Sequence, residues 1–465
     1  MKYSLLKSYL DHNEAVEIRK RLLVIALPAV GENVLQMLLG IADTAFLGHY
    51  DWRTIGGVGT ANQIIFILQA VLIAISTGTM VFIANSLGAN NRRKVDSVAW
   101  QAIYLSLVTG IGLAILSVFS SGFINVFFPS AEESLKEIGA DYLRIILIGM
   151  PGLSFMIIIA SALRGAGDTR SPMYAAVVAN GLNVFLDYSM IFGKFGFPEL
   201  GAKGAALATV VSRVVGAMIL LFLLYSNRKV GMSRKPVKTS WKNVKEVLSV
   251  GLPTAFENFS FSFGVLIFAN ILLMAGSEAY AAHRIGINVE SISFMPAWGI
   301  SVAITALVGY FNGSGELKKV IGTVRQGWLI GLGFGAIIGS VIFLWPEVFI
   351  AFFTSERTII EMARLPVRLI GLFQIVLATD FVATGALRGL GDTKFPMMAS
   401  TTAMWLIRIP VGFVLVKYFD MGLLGAWTGM MGDMVFRMVL KVFRLLSGNW
   451  EERAKRVREE AAYYD

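Results

Sequence analysis

Ala162-Leu163-Arg164-Gly165-Ala166-Gly167-Asp168-Thr169 returns as Ala386-Leu387-Arg388-Gly389-Leu390-Gly391-Asp392-Thr393, and each copy runs on into a basic residue, one spacer and Pro-Met (Arg170-Ser171-Pro172-Met173 and Lys394-Phe395-Pro396-Met397). The copies stand 224 residues apart in a chain of 465, which makes the halves duplicates, and internal symmetry sets the architecture before any single element is read. An offset near 225 aligns more. Leu27-Pro28 ahead of Glu32-Asn33 matches Leu252-Pro253 ahead of Glu257-Asn258, and Gly88 with Arg93-Lys94-Val95 matches Gly313 with Lys318-Lys319-Val320. Later, Gly201-Ala202-Lys203-Gly204-Ala205 answers Gly422-Leu423-Leu424-Gly425-Ala426. What both halves share is architecture. What one half alone carries is the better candidate for chemistry.

The composition is 55% hydrophobic and only 15% charged, with a mean hydropathy of +0.66, which describes a membrane protein. Apolar runs long enough to cross about 30 Å of hydrocarbon as helices are expected at 22–48, 55–86, 96–119, 138–161, 172–193, 203–226, 249–275, 279–310, 321–345, 362–386, 395–418 and 423–446. A closed barrel would need alternating strands, and that period is missing, so helices must satisfy the backbone in lipid. Basic residues gather in alternate connections: Arg19-Lys20-Arg21, Arg92-Arg93-Lys94, Arg164 with Arg170, and a linker carrying Arg228, Lys229, Arg234, Lys235, Lys238, Lys242 and Lys245. Lys318, Lys319, Arg388, Lys394 and the tail from Arg444 continue the series, while Glu132, Glu133, Glu347 and Glu356 mark the loops between. The positive-inside rule then places both termini in the cytoplasm of a multi-pass protein of the cell (inner) membrane and requires an even number of spans, which twelve satisfies.

The expected fold is therefore an all-α integral membrane protein of about twelve transmembrane helices in two pseudo-symmetric six-helix bundles. Residues 1–226 form an N-terminal lobe, 227–248 a basic cytoplasmic linker, 249–446 a C-terminal lobe and 447–465 a cytoplasmic tail with a solvated mixed-charge helix from Glu451 to Glu460. Both halves run in one direction, and parallel repeats of this kind place a cavity near the midplane. The net charge of +10 belongs to this topology and calls for no nucleic acid; the partner is the lipid bilayer. With no cysteine there is neither disulfide nor thiol nucleophile. No short apolar region with a small-residue cleavage site precedes the first span, so no signal peptide is expected. His12, His49 and His283 lack ligand spacing, and no metal centre or cofactor is expected.

Gly-x-Gly-Asp invites comparison with intramembrane aspartyl proteases, which hold two carboxylates close enough to share a proton within the membrane. Here both copies fall in turns between spans, with Pro172 and Pro396 opening the next helix where proline is tolerated. The expected role is a structural turn, with glycine at positive φ and Arg and Asp tying it to neighbouring helix ends.

Ionisable groups inside a span are costly, and each is a functional candidate. Glu32, Gln36 and Asp43 lie at i, i+4 and i+11 of the first span, and Asn180, Asn183 and Asp187 at i, i+3 and i+7 of the fifth, so each helix has one polar face. At 1.5 Å per residue both aspartates fall in the outer half of the bilayer. Their second-half counterparts are Phe268 and Val411, so the pair breaks the symmetry. Two carboxylates facing one partly dehydrated cavity, with amides and hydroxyls nearby, suit a site that binds a proton or a sodium ion and changes charge as it loads. Glu32 and Glu257 occupy matching places, and pairing with backbone or arginine competes there with a transport role. Glu290, Asp380 and Asp433 belong to the second half alone and are candidates for a second cation site. Twenty methionines and 32 phenylalanines include enough adaptable side chains to line a cavity for bulky, varied ligands.

With its duplicated six-helix halves, the Leu-Arg-Gly-x-Gly-Asp-Thr-x-x-Pro-Met motif and Ala42-Asp43-Thr44, the chain resembles the multidrug and toxic compound extrusion (MATE) family over residues 15–446. Asn183-Val184-Phe185-Leu186-Asp187 is similar to the fifth-helix Asn-x-x-x-Asp of the branch named for the DNA-damage-inducible protein F. The resemblance implies an antiporter, not an enzyme, that exports bulky, often cationic, drug-like organic compounds by alternating access against an inward flow of protons, sodium ions or both. It implies a site of Gln36, Asp43, Tyr142, Asn180, Asn183, Asp187 and Thr209, a first-helix hinge at Pro28, and a monomer. Glu257 and Asp380 lie about a turn from the places where another branch carries acids, which favours coupling in the first lobe. Two other functions were weighed: a flippase for a lipid-linked precursor, for which Arg284 and Arg408 are the chief mid-span arginines, and an intramembrane enzyme.

Overall fold

A computed structural model describes residues 11–129, 131–233, 235–237 and 240–463. Arg234 and Lys238 of the expected linker lie outside the described residues, as do residues 1–10 and 464–465. The regular structure is entirely helical among the described residues. In the first half run α1 (His12–Tyr50), α2 (Trp52–Gly88), α3 (Arg92–Ile115) continued through a 3-10 turn into α4 (Ser120–Phe127), α5 (Glu133–Ile148), α6 (Met150–Gly165), α7 (Arg170–Ile191) and α8 (Ala202–Ser226). The second half repeats them as α9 (Trp241–Met274), α10 (Ser277–Gly313), α11 (Leu317–Leu344) with α12 (Pro346–Ala351), α13 (Arg357–Gly389), α14 (Lys394–Ala403) joined by a π turn to α15 (Ile409–Lys417), and α16 (Gly422–Ser447). A last helix, α17, covers Glu451–Ala462.

Nine of these segments are long and apolar enough to cross a bilayer among the described residues, and α5 with α6 makes a tenth. The two remaining long helices, α7 and α16, are the polar ones. Asn180, Asn183 and Asp187 interrupt the first, and Asp433, Arg437, Lys441 and Arg444 the second. The fourth expected span, 138–161, is bent by 56° between α5 and α6. Pro151 explains the break: it has no N–H to give to Leu147, and its ring crowds that carbonyl.

The repeated octapeptide is a matched pair of helix stops. Gly167 N–H donates to Arg164 (2.9 Å) and Asp168 N–H to Leu163 (2.9 Å), and Gly391 and Asp392 do the same to Arg388 (2.8 Å) and Leu387 (2.9 Å). This is the Schellman pattern, which needs a left-handed residue after the helix; Gly167 at φ 73° and Gly391 at φ 76° supply it. The first glycine of each motif has another job. A Cβ on Gly165 would stand 2.6 Å from the Met80 carbonyl, and one on Gly389 2.7 Å from that of Thr305, so both permit close helix packing.

The chain divides into two compact units that do not follow chain order. One comprises the chain through Val30 with Phe256–Ala461, the other Gly31–Ala255 with the last few residues. In the first unit Ile18, Leu22, Ile25 and Ala26 of α1 share a core with Ile300, Ile304, Leu307 and Val308 of α10, and Arg19 Nε donates to Gln326 (3.0 Å). In the second, the leading part of α9 is fastened to α3. Lys94, 2% exposed, reaches Glu246 (2.5 Å) and Asn243 (2.7 Å), and Asn243 donates to Ser97 (3.0 Å).

The tail differs from expectation. α17 is docked rather than solvated: Ala454, Val457 and Ala461 are buried, Asn312 donates to Ala454 O (3.1 Å), and Arg453 Nε donates to Gly391 O (3.2 Å). Only its charged face is left outward, so the amphiphilic character legible in the tail serves to dock it rather than to leave it in solvent.

Candidate functional site

The unit built from Gly31–Ala255 encloses a cavity of about 440 Å³ lined by side chains of α1, α2, α5, α6, α7 and α8. Gln36 and Asp43 reach it from α1, Tyr142 from α5, Asn180 and Asn183 from α7, and Thr209 from α8, so six of the seven residues the resemblance implied share its wall. Helical spacing does the gathering, because Asn180, Asn183 and Asp187 recur on one face of α7. Tyr142 and Thr209 lie close together on this wall, where α5 meets α8.

Asp187, the seventh, is not on the lining. It is 0% exposed and lies beside Asp43, with which it interacts directly. Without a proton between them neither carboxylate can donate to the other. Asp43 Oδ1, both Asp187 oxygens, both Asn183 side-chain atoms, Asn180 Nδ2 and Ser212 Oγ are buried and make no hydrogen bond within the protein. Buried polar groups are nearly always satisfied, so seven such atoms in one neighbourhood make this the candidate binding place. Hard oxygens and amides of this kind suit a proton, water or an alkali cation.

The unit that contains Phe256–Ala461 treats its acids differently. Glu257 accepts from Arg388 (2.9 Å) and from Ser400 Oγ (2.7 Å). Asp380 is held between Lys441 (2.8 Å) and Arg437 (3.4 Å), and Asp433 by Arg408 (2.6 Å). Glu290, half-buried, lies in the field of Arg408 and Arg437. Each of the candidates is thus set among fixed cations, although Glu290 also lies in the field of Asp433. Arg284 is exposed, whereas Arg408 is buried in its ion pair.

The expected pairing of Glu32 with an arginine is found, though its partner could not be named in the sequence, and a further cavity residue was missed there. Glu32 and Arg164, both on its lining, form an ion pair, so the octapeptide arginine reaches back to α1 instead of staying at its turn. Arg213, one turn after Thr209 on α8, also lines the cavity. The repeat could have exposed it: Gly204-Ala205 aligns with Gly425-Ala426, which pairs Arg213 with Met434, a third charge that one half alone carries.

A helical, internally duplicated membrane protein with a polar cavity inside one lobe is the architecture of a multi-pass transporter, and the comparisons place it. The MatE family model matches twice, over residues 28–189 and 253–414, and the chain belongs to that family. A relative from Thermotoga maritima, described as "Probable multidrug resistance protein NorM", is 54% identical over 459 residues, covering 99% of both chains. A solved structure titled as the outward-facing conformation of a multidrug resistance MATE family transporter of the MOP superfamily superposes with a TM-score of 0.85 at 22% identity, covering 95% of this chain and 97% of the other. Another, described as MATE in the bent conformation, gives 0.84 at 22% identity over 98% and 100%. Both the duplication and the all-helical fold read from the sequence are thereby shown.

Proposed function

We propose that the protein is a cation-coupled antiporter that exports bulky organic compounds by alternating access, with Asp43 and Asp187 as the coupling pair. One observation carries the reading: buried carboxylate, amide and hydroxyl atoms without protein partners converge beside a cavity in one lobe, and the counterparts of both aspartates in the other lobe are Phe268 and Val411. The multidrug-resistance description of the Thermotoga maritima relative supports organic export.

A proton or sodium ion arriving at the pair removes the repulsion between two negative charges and supplies the partner that their oxygens lack. Asn180 and Asn183 hold or orient the ion, Gln36 stands at the exposed edge, and Tyr142 with Thr209 keeps the wall in place. A ligand shifts a conformational equilibrium only by its differential affinity for the two states. Drug and cation that compete for one cavity therefore exchange across it. Pro28 is a natural hinge, because proline leaves the Val24 carbonyl without its helical donor, and the two compact units divide two residues beyond it. The termini and the basic linker lie on the cytoplasmic side of the cell membrane.

The test is efflux of a fluorescent dye from proteoliposomes under separately imposed proton and sodium gradients. Asp43→Asn and Asp187→Asn should each abolish the gradient-driven component. Full efflux in both variants would sink this mechanism, and the wild-type response to each gradient names the coupling ion.

A further inference from the structure

Arg213, half-buried on α8, differs from four other arginines set among the helices, each of which meets a carboxylate. Arg164 has Glu32, Arg388 has Glu257, Arg408 has Asp433 and Arg437 has Asp380. Arg213 lines the cavity within electrostatic reach of Asp43, yet among the described residues it makes no ion pair. An arginine held in a low-dielectric setting without a carboxylate is costly. Inside a helical membrane protein such a residue is a functional candidate.

Its surroundings define what would satisfy it. The wall it shares with Asp43 is otherwise mixed, with Phe66, Met156 and Ile157 giving apolar surface. The volume of about 440 Å³ is that of a small-molecule site. Arg213 and Asp43 thus offer one cationic and one anionic anchor that attract each other without forming an ion pair. A guanidinium is a planar fork that matches a carboxylate in two parallel hydrogen bonds.

We propose that Arg213 receives the carboxylate of an amphoteric organic substrate whose cationic end faces Asp43. This rests on the transport reading of the same cavity and narrows its substrate class from organic cations to compounds that carry both charges. With the Glu32–Arg164 pair neutral, an ionised Asp43 and Asp187 together with Arg213 leave a single negative charge. A net-neutral amphoteric molecule meets both anchors without adding charge.

The test is equilibrium binding, by fluorescence anisotropy, of a rhodamine with a free carboxylate and of its methyl ester to the purified full-length protein. The wild type should bind the free acid at least about tenfold more tightly than the ester. Arg213→Gln and Arg213→Met should each collapse that ratio towards one, and Arg213→Lys, which keeps the charge but not the fork, should retain part of it. The ratio is read within each variant, so a general loss of binding cannot imitate the effect. A ratio near one in the wild type, or an unchanged ratio in both neutral variants, overturns the proposal. Absence of gradient-driven efflux would defeat the transport reading and leave this binding ratio standing.

Discussion

Arg164 donates to Glu32 across the interior of one lobe, from the end of α6 to α1, and the duplicate of this pair, Arg388 on Glu257 at 2.9 Å, spans the other. The octapeptide is therefore more than a turn. Its glycines stop and pack the helix, its aspartate meets the next element, and its arginine clamps the start of each repeat. Asp168 accepts from Ser171 (3.0 and 2.7 Å) and from Asn227 (2.7 Å), whereas Asp392 accepts from Arg444 (2.9 Å).

The clamp implies an asymmetry between single and double substitutions. Glu32→Gln leaves Arg164 without its carboxylate on the cavity wall and should lower stability by up to about 3 kcal/mol, less than the cost of breaking a fully buried pair from one side. Glu32→Leu with Arg164→Met should recover most of that loss. Thermal melts of the three proteins in detergent decide it; equal loss in single and double variants would show that the pair is not what the lobe relies on.

Gly165 and Gly181 offer a matched comparison. A methyl group at Gly165 meets the Met80 carbonyl, while at Gly181 nothing lies within 4 Å. Gly165→Ala should cost about 1–3 kcal/mol through overpacking. Gly181→Ala should be neutral or stabilising, since alanine favours a helix by up to about 1 kcal/mol. Melting temperatures moving in the same direction would contradict the packing found here.

If Asp43 and Asp187 act as one coupling unit, their substitutions cannot add. Asp43→Asn, Asp187→Asn and the double variant should show the same residual efflux, because loss of either acid already removes the charge change. Initial rates in proteoliposomes measure this. A double variant whose residual rate equals the product of the two single effects would point to independent sites.

The Lys94–Glu246 pair predicts local order at the start of α9. Since the chain has no cysteine, Val247→Cys introduces a lone thiol at a position that is 1% exposed. Adding Lys94→Met should raise its maleimide labelling rate at least about tenfold, as opening of that segment becomes easier. An unchanged rate would mean that apolar packing alone holds the segment.

Much of the fold was legible because its signals are additive along the chain. Apolar runs located the helices, and the octapeptide fixed the offset between the halves. The bend at Gly149 was hidden because a hydropathy run does not register geometry, although Pro151 stood in plain view. For the site, Asp43 and Asp187 stood out as charges with apolar counterparts. Arg213 did not, because Val210, Val211, Val214 and Val215 around it keep the local average apolar. Its pairing with Met434 became visible only with the shorter offset of the sixth helix. The Arg164–Glu32 contact joins residues 132 apart, and no local pattern encodes it.

The leading stretches of α1 and α9 have a consequence for how such a protein can be divided. Residues through Val30 complete the core of the later unit, and 241–255 complete that of the earlier one. A half-chain cut at the linker would display the apolar face of Ile18, Leu22 and Ile25 with nothing to cover it, and would lack the Glu246 that neutralises Lys94. Two half-chains made together would restore both. Joined in one chain, the two halves hold as intramolecular contacts what separate halves could hold only by association.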